Sequence, residues 1–245
     1  MNEPSSLSGP AVPESHLRPA RPEKVTTDFD WLVYSDATFA GLSVLIPVPF
    51  LDALMEEYFR RRMPRDIARR HGRVLPLAAI REVNRKRDGC LSSIVMMPLN
   101  LIIYLIRNLY RTLVYVLSVV DAANNLSYYW HRAFLLDYMI RRGHLDEAGR
   151  AAIAAEAMHQ VLAGTETSPV VNLAKQVIET ARKQIRGLLR ATFRFARRRE
   201  ETAAVQRTRL SIAEQWGQFG EYFLELAGRY DATYKAVVSQ QGQPA

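Results

Sequence analysis

Apolar residues recur at intervals of three and four along most of this chain, the spacing that places them on one face of an α-helix. Between residues 51 and 59 they follow the order i, i+3, i+4, i+7 and i+8: Leu51, Leu54, Met55, Tyr58 and Phe59. No segment alternates apolar and polar residues between turn residues, as a half-buried strand would. The pattern predicts an all-α fold, an irregular bundle of about six to eight helices.

Proline and glycine residues mark the predicted helix ends. An early helix is predicted over about 29–46, with Thr27 or Asp28 as its N-cap. It should end before Pro47 and Pro49, because each proline lacks an N–H group and disfavours helix in the residue before it. The other predicted helices are 51–72, kinked or divided at Pro64 and ended by Gly72; 75–86; 122–142, capped by Asp121 and stopped by Gly143; 145–163, ended by Gly164; 168–199, opened by Ser168 and Pro169; and 202–239, with Leu210, Ala213 and Trp216 among its core positions.

The composition changes along the chain in a way that predicts three regions. Residues 1–27 hold five prolines and several serines without an apolar run, which is typical of a disordered tail and unlike a secretory signal peptide. Residues 28–164 are predicted to form an apolar helical region that contains the double-proline corner. Residues 165–240 are predicted to form long helices with a basic amphipathic face.

The chain carries a formal net charge of +8, with a sequence pI of about 9.8. This excess favours an acidic partner: an anionic membrane surface, an acidic protein or, with less support, nucleic acid. The single cysteine, Cys90, excludes an internal disulfide and a cysteine-rich metal site. The five histidines lack metal-ligand spacing, and no common catalytic or nucleotide-binding motif occurs. We therefore expect a cytoplasmic protein without a metal, a cofactor or a catalytic residue.

Residues 90–106 contain no charged residue, and their length is just short of the roughly 20 residues that a membrane-spanning helix needs. Arg107 and Arg111 follow, before the apolar stretch 112–120. Because arginines are costly inside a bilayer, the sequence favours a buried helix whose arginines reach an interface. A hairpin inserted into the membrane is the alternative.

An apolar segment with two prolines leads directly into an arginine-rich helix. The predicted membrane wedge consists of Val44, Leu45, Ile46, Pro47, Val48, Pro49 and Phe50. The arginines predicted to contact lipid or an acidic partner next to it are Arg60, Arg61, Arg62, Arg65 and Arg69. Apolar insertion beside a basic cluster is the two-signal arrangement of stable peripheral membrane binding. The alternative is that residues 37–51 belong to the core and the prolines form a tight corner.

A second basic face is predicted on the helix after Pro169. Its arginines recur every four residues or lie on the same side: Arg182, Arg186, Arg190, Arg194, Arg197 and Arg198. Apolar residues occupy the opposite side, and no acidic residue occurs between positions 182 and 199. The pattern indicates a surface for anionic lipid or an acidic partner, or alternatively the solvated side of a bundle helix.

Residues 37–73 resemble the helical domain of unknown function that follows some bacterial Era-like GTPase domains. The residues that carry the resemblance are Ile46, Pro47, Val48, Pro49, Asp52, Met63, Ile67, Ala68 and Gly72. The resemblance implies a membrane-associated helical module without known catalytic residues. This chain departs from the usual setting of that domain, because it has no G-x-x-x-x-G-K-[ST] phosphate loop and hence no GTPase domain.

Residues 121–137 carry a polar stripe inside an apolar region. The predicted members of a buried hydrogen-bond network are Arg107, Arg111, Asp121, Asn125, Tyr128, His131 and Arg132. Such a network would supply the partners that buried charges need. A ligand or catalytic pocket using His131 and Asp121 is the alternative, although a lone histidine without a nearby nucleophile is weak support for acid–base chemistry.

These features together predict a non-enzymatic helical protein that attaches peripherally to the inner face of the cell membrane as a scaffold or regulator. One alternative is a nucleic-acid-binding protein that uses the face of residues 182–199. The other is a lipid-acting enzyme with a site near His131. The small and aromatic residues between Trp216 and Gly220 suit a close helix contact, either within one chain or in a homo-oligomer.

Overall fold

The structure, a computed structural model, describes residues 25–46, 51–85, 113–165, 168–183 and 203–241. The helices are α1 (Trp31–Leu42), α2 (Leu51–Arg70), α3 (Leu77–Asn84), α4 (Leu113–Arg141), α5 (Ala148–Leu162), α6 (Val170–Lys183), α7 (Ala203–Trp216) and α8 (Gly220–Gln241), with short 3₁₀ turns at Ser43–Leu45 and Gly217–Phe219. No strand occurs within these ranges, and the predicted all-α fold is confirmed. One hydrophobic core contains residues from all of these α-helices.

Helix α1 packs against both α2 and α4, and all of its residues except Leu32 are buried. Its N-cap is Asp30, whose Oδ1 accepts a hydrogen bond from the Leu32 N–H at 2.9 Å. The predicted caps Thr27 and Asp28 are therefore wrong. The helix begins two residues later than predicted, because the Asp30 side chain is the one that reaches the free N–H groups of the first turn.

Helix α2 runs through Pro64 without being divided. Leu54 and Tyr58, which the apolar pattern placed on the core side, are 64% and 42% exposed. The core side of α2 is instead a row of side chains one turn apart: Met55, Phe59, Met63 and Ile67. The outward position of Leu54 and Tyr58 leaves two large apolar side chains on the surface of an arginine-rich helix.

Two glycines end helices where the sequence predicted. Gly72 and Gly143 have φ angles of 65° and 72°, in the left-handed region that costs glycine little. After α2, the Arg73 N–H donates to the Ala68 carbonyl at 2.9 Å and the Gly72 N–H donates to the Arg69 carbonyl at 3.0 Å. This pair of bonds forms a Schellman motif, and the same motif follows α4.

Helix α4 has 29 residues and begins at Leu113, well before the predicted start at residue 122. Asp121 lies exposed inside the helix and not at its N-cap, so the predicted boundary is wrong. An exposed aspartate in a helix costs only about 0.7 kcal/mol, which packing overrides. Further along α4, the indole Nε1 of Trp130 donates to Thr38 Oγ1 at 3.0 Å and ties the helix to α1.

Helix α6 begins as predicted, since the Val170 N–H donates to Ser168 Oγ at 3.1 Å. The predicted helix 202–239 is two helices, because the 3₁₀ turn Gly217–Phe219 separates α7 from α8. Leu210 and Ala213, predicted as core positions, are exposed. The buried row of α7 includes a threonine, which an apolar pattern cannot select: Val205, Thr208, Ile212 and Trp216.

Trp216, the last residue of α7, packs against the N-terminal part of the described chain. Its ring lies 4.4 Å from that of Tyr34 and 5.3 Å from that of Phe29, measured between centroids. Its Nε1 donates to the Thr27 carbonyl at 3.1 Å, and Val25 packs against the same core. Residues 25–27 of the predicted disordered tail are therefore packed on the bundle, while the rest of that tail lies outside the described residues.

Candidate functional site

The described residues of the predicted membrane wedge, at the corner between α1 and α2, differ in how far they are buried. Ile46 is buried, Leu45 is half-buried and Val44 is 41% exposed. Residues 47–50, which complete the wedge as Pro47, Val48, Pro49 and Phe50, lie outside the described residues. The 3₁₀ turn that carries Val44 packs against α2, so the exposed Val44 side chain lies on an element next to that helix.

The arginine cluster of α2 divides into buried and exposed members. Arg60 is buried and donates to Glu57 at 2.7 Å and to the Asn84 carbonyl at 2.6 Å. From α4, Arg132 donates to the Val83 carbonyl at 2.6 Å. These two arginines dock the C-terminal end of α3, where the helix dipole favours positive charge. The role of Arg60 in this arrangement is to hold the bundle together.

Arg62 is also turned inward, where it pairs with two acidic side chains. Its Nε lies 3.0 Å from Asp36 Oδ2 and 3.1 Å from Asp66 Oδ2, and its Nη2 also donates to Asp36 Oδ1. Asp36 is 3% exposed and Asp66 is 9% exposed. Because Asp36 comes from α1, this cluster bridges the two helices of the corner with two carboxylates and one guanidinium.

Burial raises the pKa of Asp36 from its ordinary value of 3.8 to about 6, against the opposing effect of Arg62. Between these two values the folded chain holds a proton on Asp36 that the unfolded chain has lost. The stability that this bound proton contributes is therefore complete below about pH 4 and is lost as the pH rises through 6.

We expect the free energy of unfolding of the natural chain, relative to Asp36→Asn, to fall by about 2–3 kcal/mol from pH 4 to pH 7. Urea titrations of both chains at several pH values measure this difference, and a difference that stays flat with pH would contradict the assignment.

The exposed side of α2 carries apolar residues near the corner and arginines further along. We call this surface the α2 outer face, and its members are Leu54, Tyr58, Arg61, Arg65 and Arg69. Their positions i, i+4, i+7, i+11 and i+15 fall within one side of the helix. The Arg61 and Arg69 side chains are 71% and 79% exposed. The Tyr58 hydroxyl accepts a hydrogen bond from Arg62 Nη1 at 3.3 Å, and this bond holds the ring in place.

Acidic residues neutralise only part of the positive charge of the α2 outer face. Arg61 pairs with Glu57, which also serves Arg60, and Arg69 lies 3.9 Å from Asp66, which also serves Arg62. Arg65 is exposed and forms no ion pair with a described residue. The face therefore keeps a positive charge next to exposed Leu54 and Tyr58.

The second predicted basic face lies largely beyond what the structure covers. Arg182 belongs to α6, whose described part ends at Lys183. The remaining members of that face lie outside the described residues: Arg186, Arg190, Arg194, Arg197 and Arg198. Their role in binding lipid, an acidic protein or nucleic acid stays a prediction.

The predicted polar network of α4 is divided between two sides of the helix. The carbonyl of Ser127 accepts a hydrogen bond from His131 Nδ1 at 2.6 Å, and His131 Nε2 lies 2.8 Å from the Tyr222 hydroxyl. Burial lowers the pKa of His131 to about 4, so the ring is neutral at pH 7. Both ring nitrogens are engaged inside the core, which leaves neither for a substrate. Arg132 contacts α3 instead, as described above.

The other members of that predicted network are more exposed or not described. Asp121 is exposed, Asn125 and Tyr128 are half-buried, and Arg107 and Arg111 lie outside the described residues. Asn125 and Tyr128 border a cavity of about 640 Å³ between α4, α5 and α6. Sequence reasoning missed this cavity, because its walls come from segments that no local pattern links.

Within the described ranges, no group of three or more histidine, cysteine or acidic residues is placed to hold a metal ion. Among the helices of these same ranges, none has both the length and the apolar character needed to cross a bilayer. No family model, no curated protein and no solved structure matches the chain.

Proposed function

We propose that this chain is a non-enzymatic helical protein that attaches peripherally to an anionic membrane surface, on the cytoplasmic side, through the α2 outer face and the adjoining corner. The observation that supports the proposal is the placement of exposed Leu54 and Tyr58 in line with exposed Arg61, Arg65 and Arg69. An apolar contact combined with a basic cluster is what reversible membrane attachment requires. The resemblance of residues 37–73 to a membrane-associated helical module points the same way.

The energies agree with reversible attachment. Each arginine near an anionic leaflet contributes about 1 kcal/mol, so three contribute about 3 kcal/mol. Burying the exposed part of one leucine side chain adds about 1.5 kcal/mol. Neither the arginines nor the leucine contributes enough alone to hold the chain on a membrane. Both contributions should come from the α2 outer face. Salt should weaken the electrostatic part, because screening shortens its range.

The test is co-sedimentation of the full chain with vesicles of neutral phosphatidylcholine or of phosphatidylcholine mixed with phosphatidylserine. We expect binding to the anionic vesicles only, reduced at high salt. Leu54→Glu should weaken it about tenfold, and the combined change of Arg61, Arg65 and Arg69 to alanine should weaken it about a hundredfold. Leu54 is chosen over the buried Ile46 because a charge at Ile46 would disrupt the fold.

Matched controls separate location from total charge. Leu224→Glu places the same charge at an exposed leucine of α8, and alanine at Arg150, Arg207 and Arg209 removes three exposed arginines from α5 and α7. These controls should bind nearly as well as the natural chain. If they weaken binding as much as the changes in α2, net charge and not the α2 outer face drives attachment. If the chain does not bind anionic vesicles, the proposal is wrong.

A further inference from the structure

The cavity between α4, α5 and α6 is separate from the α2 outer face. One wall is the side of α4 that carries Asn124, Ser127 and Tyr128 at positions i, i+3 and i+4. Along this wall Asn124 is exposed, Tyr128 is half-buried and Ser127 is buried. The C-terminal part of α5, with His159 and Leu162, and the turn at Thr165 form another part of the described lining. Its volume of about 640 Å³ falls within the range of small-molecule sites, about 300–1,000 Å³.

Several polar groups on these walls have hydrogen-bonding capacity to spare. The side-chain amides of Asn124 and Asn125 form no hydrogen bond with another described residue. Each offers two donors and an acceptor. Ser127 and Thr165 add buried hydroxyls, and that of Thr165 donates to the Leu162 carbonyl at 2.8 Å, which leaves its oxygen free to accept. The cavity therefore presents paired donors and acceptors at its mouth and hydroxyl oxygens deeper inside.

The described walls carry no lysine, arginine, aspartate or glutamate, and the imidazole of His159 on α5 is the one basic side chain among them. The C-terminal end of α5 and the N-terminal end of α6 both reach the cavity, and their partial charges of opposite sign offset each other. Leu162, Ala163 and Val171 supply an apolar surface beside the polar groups. Apart from the imidazole of His159, the described lining offers no opposite charge to a charged ligand, while a neutral ligand would find both hydrogen bonds and apolar contact.

We propose that the cavity between α4, α5 and α6 binds an uncharged, hydroxyl-bearing small molecule of about the size of a hexose glycoside. The two side-chain amides would bind adjacent hydroxyls, since each amide can donate to one oxygen and accept from the next. The apolar wall would contact the carbon face of the ring or a short alkyl group. This site does not depend on membrane attachment, because none of its described lining residues belongs to α1 or α2.

The experiment uses the full chain and two neutral probes, methyl β-D-glucopyranoside and hexyl β-D-glucopyranoside. Glucose 6-phosphate and glucosamine serve as negatively and positively charged comparisons. Binding is measured by saturation-transfer NMR and by the shift in the thermal midpoint. Ala163→Trp blocks the mouth at an exposed position, and Ala232→Trp places the same side chain on the exposed side of α8 as the control.

We expect both neutral glycosides to bind the natural chain and the Ala232→Trp control, and the charged sugars to bind at least about tenfold more weakly. Ala163→Trp should abolish binding. Asn124→Ala should weaken it about tenfold, the loss of roughly one good hydrogen bond. The proposal is overturned if neither glycoside binds, if Ala163→Trp binds them as well as the control, or if a charged sugar binds equally tightly.

Discussion

Arg62→Met is expected to lower the free energy of unfolding at pH 7 by about 3–5 kcal/mol, the cost of breaking a buried ion pair on one side only. Methionine keeps most of the apolar stem of Arg62 but removes the guanidinium that Asp36 and Asp66 share. Two buried carboxylates would then face each other across α1 and α2 without the guanidinium between them, and Asp66 would keep the exposed Arg69 at 3.9 Å. Urea denaturation followed by far-ultraviolet circular dichroism gives the change directly.

Arg61→Met is the matched control for this prediction. Arg61 is the adjacent arginine of the same helix, but its side chain is 71% exposed and its ion pair with Glu57 is at the surface. Exposed pairs contribute about 0–1 kcal/mol, so this change should be nearly neutral. Equal losses for both variants would contradict the assignment of Arg62 to the interior of the bundle.

Gly41→Val should have the second large effect, because it forces α1 away from α4. A Cβ atom at position 41 would lie 2.5 Å from Leu126 Cα and 2.9 Å from Leu126 Cβ. Since the first of these atoms is backbone, no side-chain rotation relieves the contact and the helices must separate. Overpacking of this kind costs about 1–3 kcal/mol or more, and we expect the upper end or beyond.

Gly228→Ala is the control for Gly41→Val, because it adds a side chain to a helical glycine that lies outside a close helix contact. Gly228 lies inside α8, and a Cβ there would meet nothing within 4 Å. Helix propensity alone should therefore stabilise the chain by up to about 1 kcal/mol. Thermal and urea unfolding of both variants should show changes of opposite sign. A Gly41→Val chain as stable as the natural one would show that α1 and α4 do not approach as closely as described.

The sequence predicted those features that depend on a few neighbouring residues. Ser168 followed by Pro169 is a local helix start, and Gly72 is a local helix end, so both could be read without knowing the fold. The same kind of rule predicted that Pro64 kinks or divides the helix, and α2 is not divided there. Residues on the core side of α2 before and after Pro64, such as Phe59 and Ile67, are both buried in the same core, and this packing holds the helix together.

Features that depend on distant residues could not be read from the sequence. The arginines of α2 looked alike, yet Arg62 is turned inward by Asp36, which is 26 residues away in the chain. Conversely, Leu54 looked like a core residue and lies on the surface. The α2 outer face therefore contains fewer arginines than the sequence suggested and more apolar surface. The cavity beside Asn124 depends on the meeting of three helices and had no signal in any one segment.

The contact between the α2 outer face and lipid is tested most directly by an environment-sensitive label on that face. The variant Leu54→Cys, with Cys90 replaced by serine, is labelled with the fluorophore NBD and mixed with anionic vesicles. Leu224→Cys in the same background reports on the exposed side of α8. We predict that the label at position 54 becomes brighter and shifts to shorter wavelength on vesicle binding, while the label at position 224 does not change. If the chain binds the vesicles while the label at position 54 stays in water, another surface makes the contact and the proposed role of the α2 outer face is wrong.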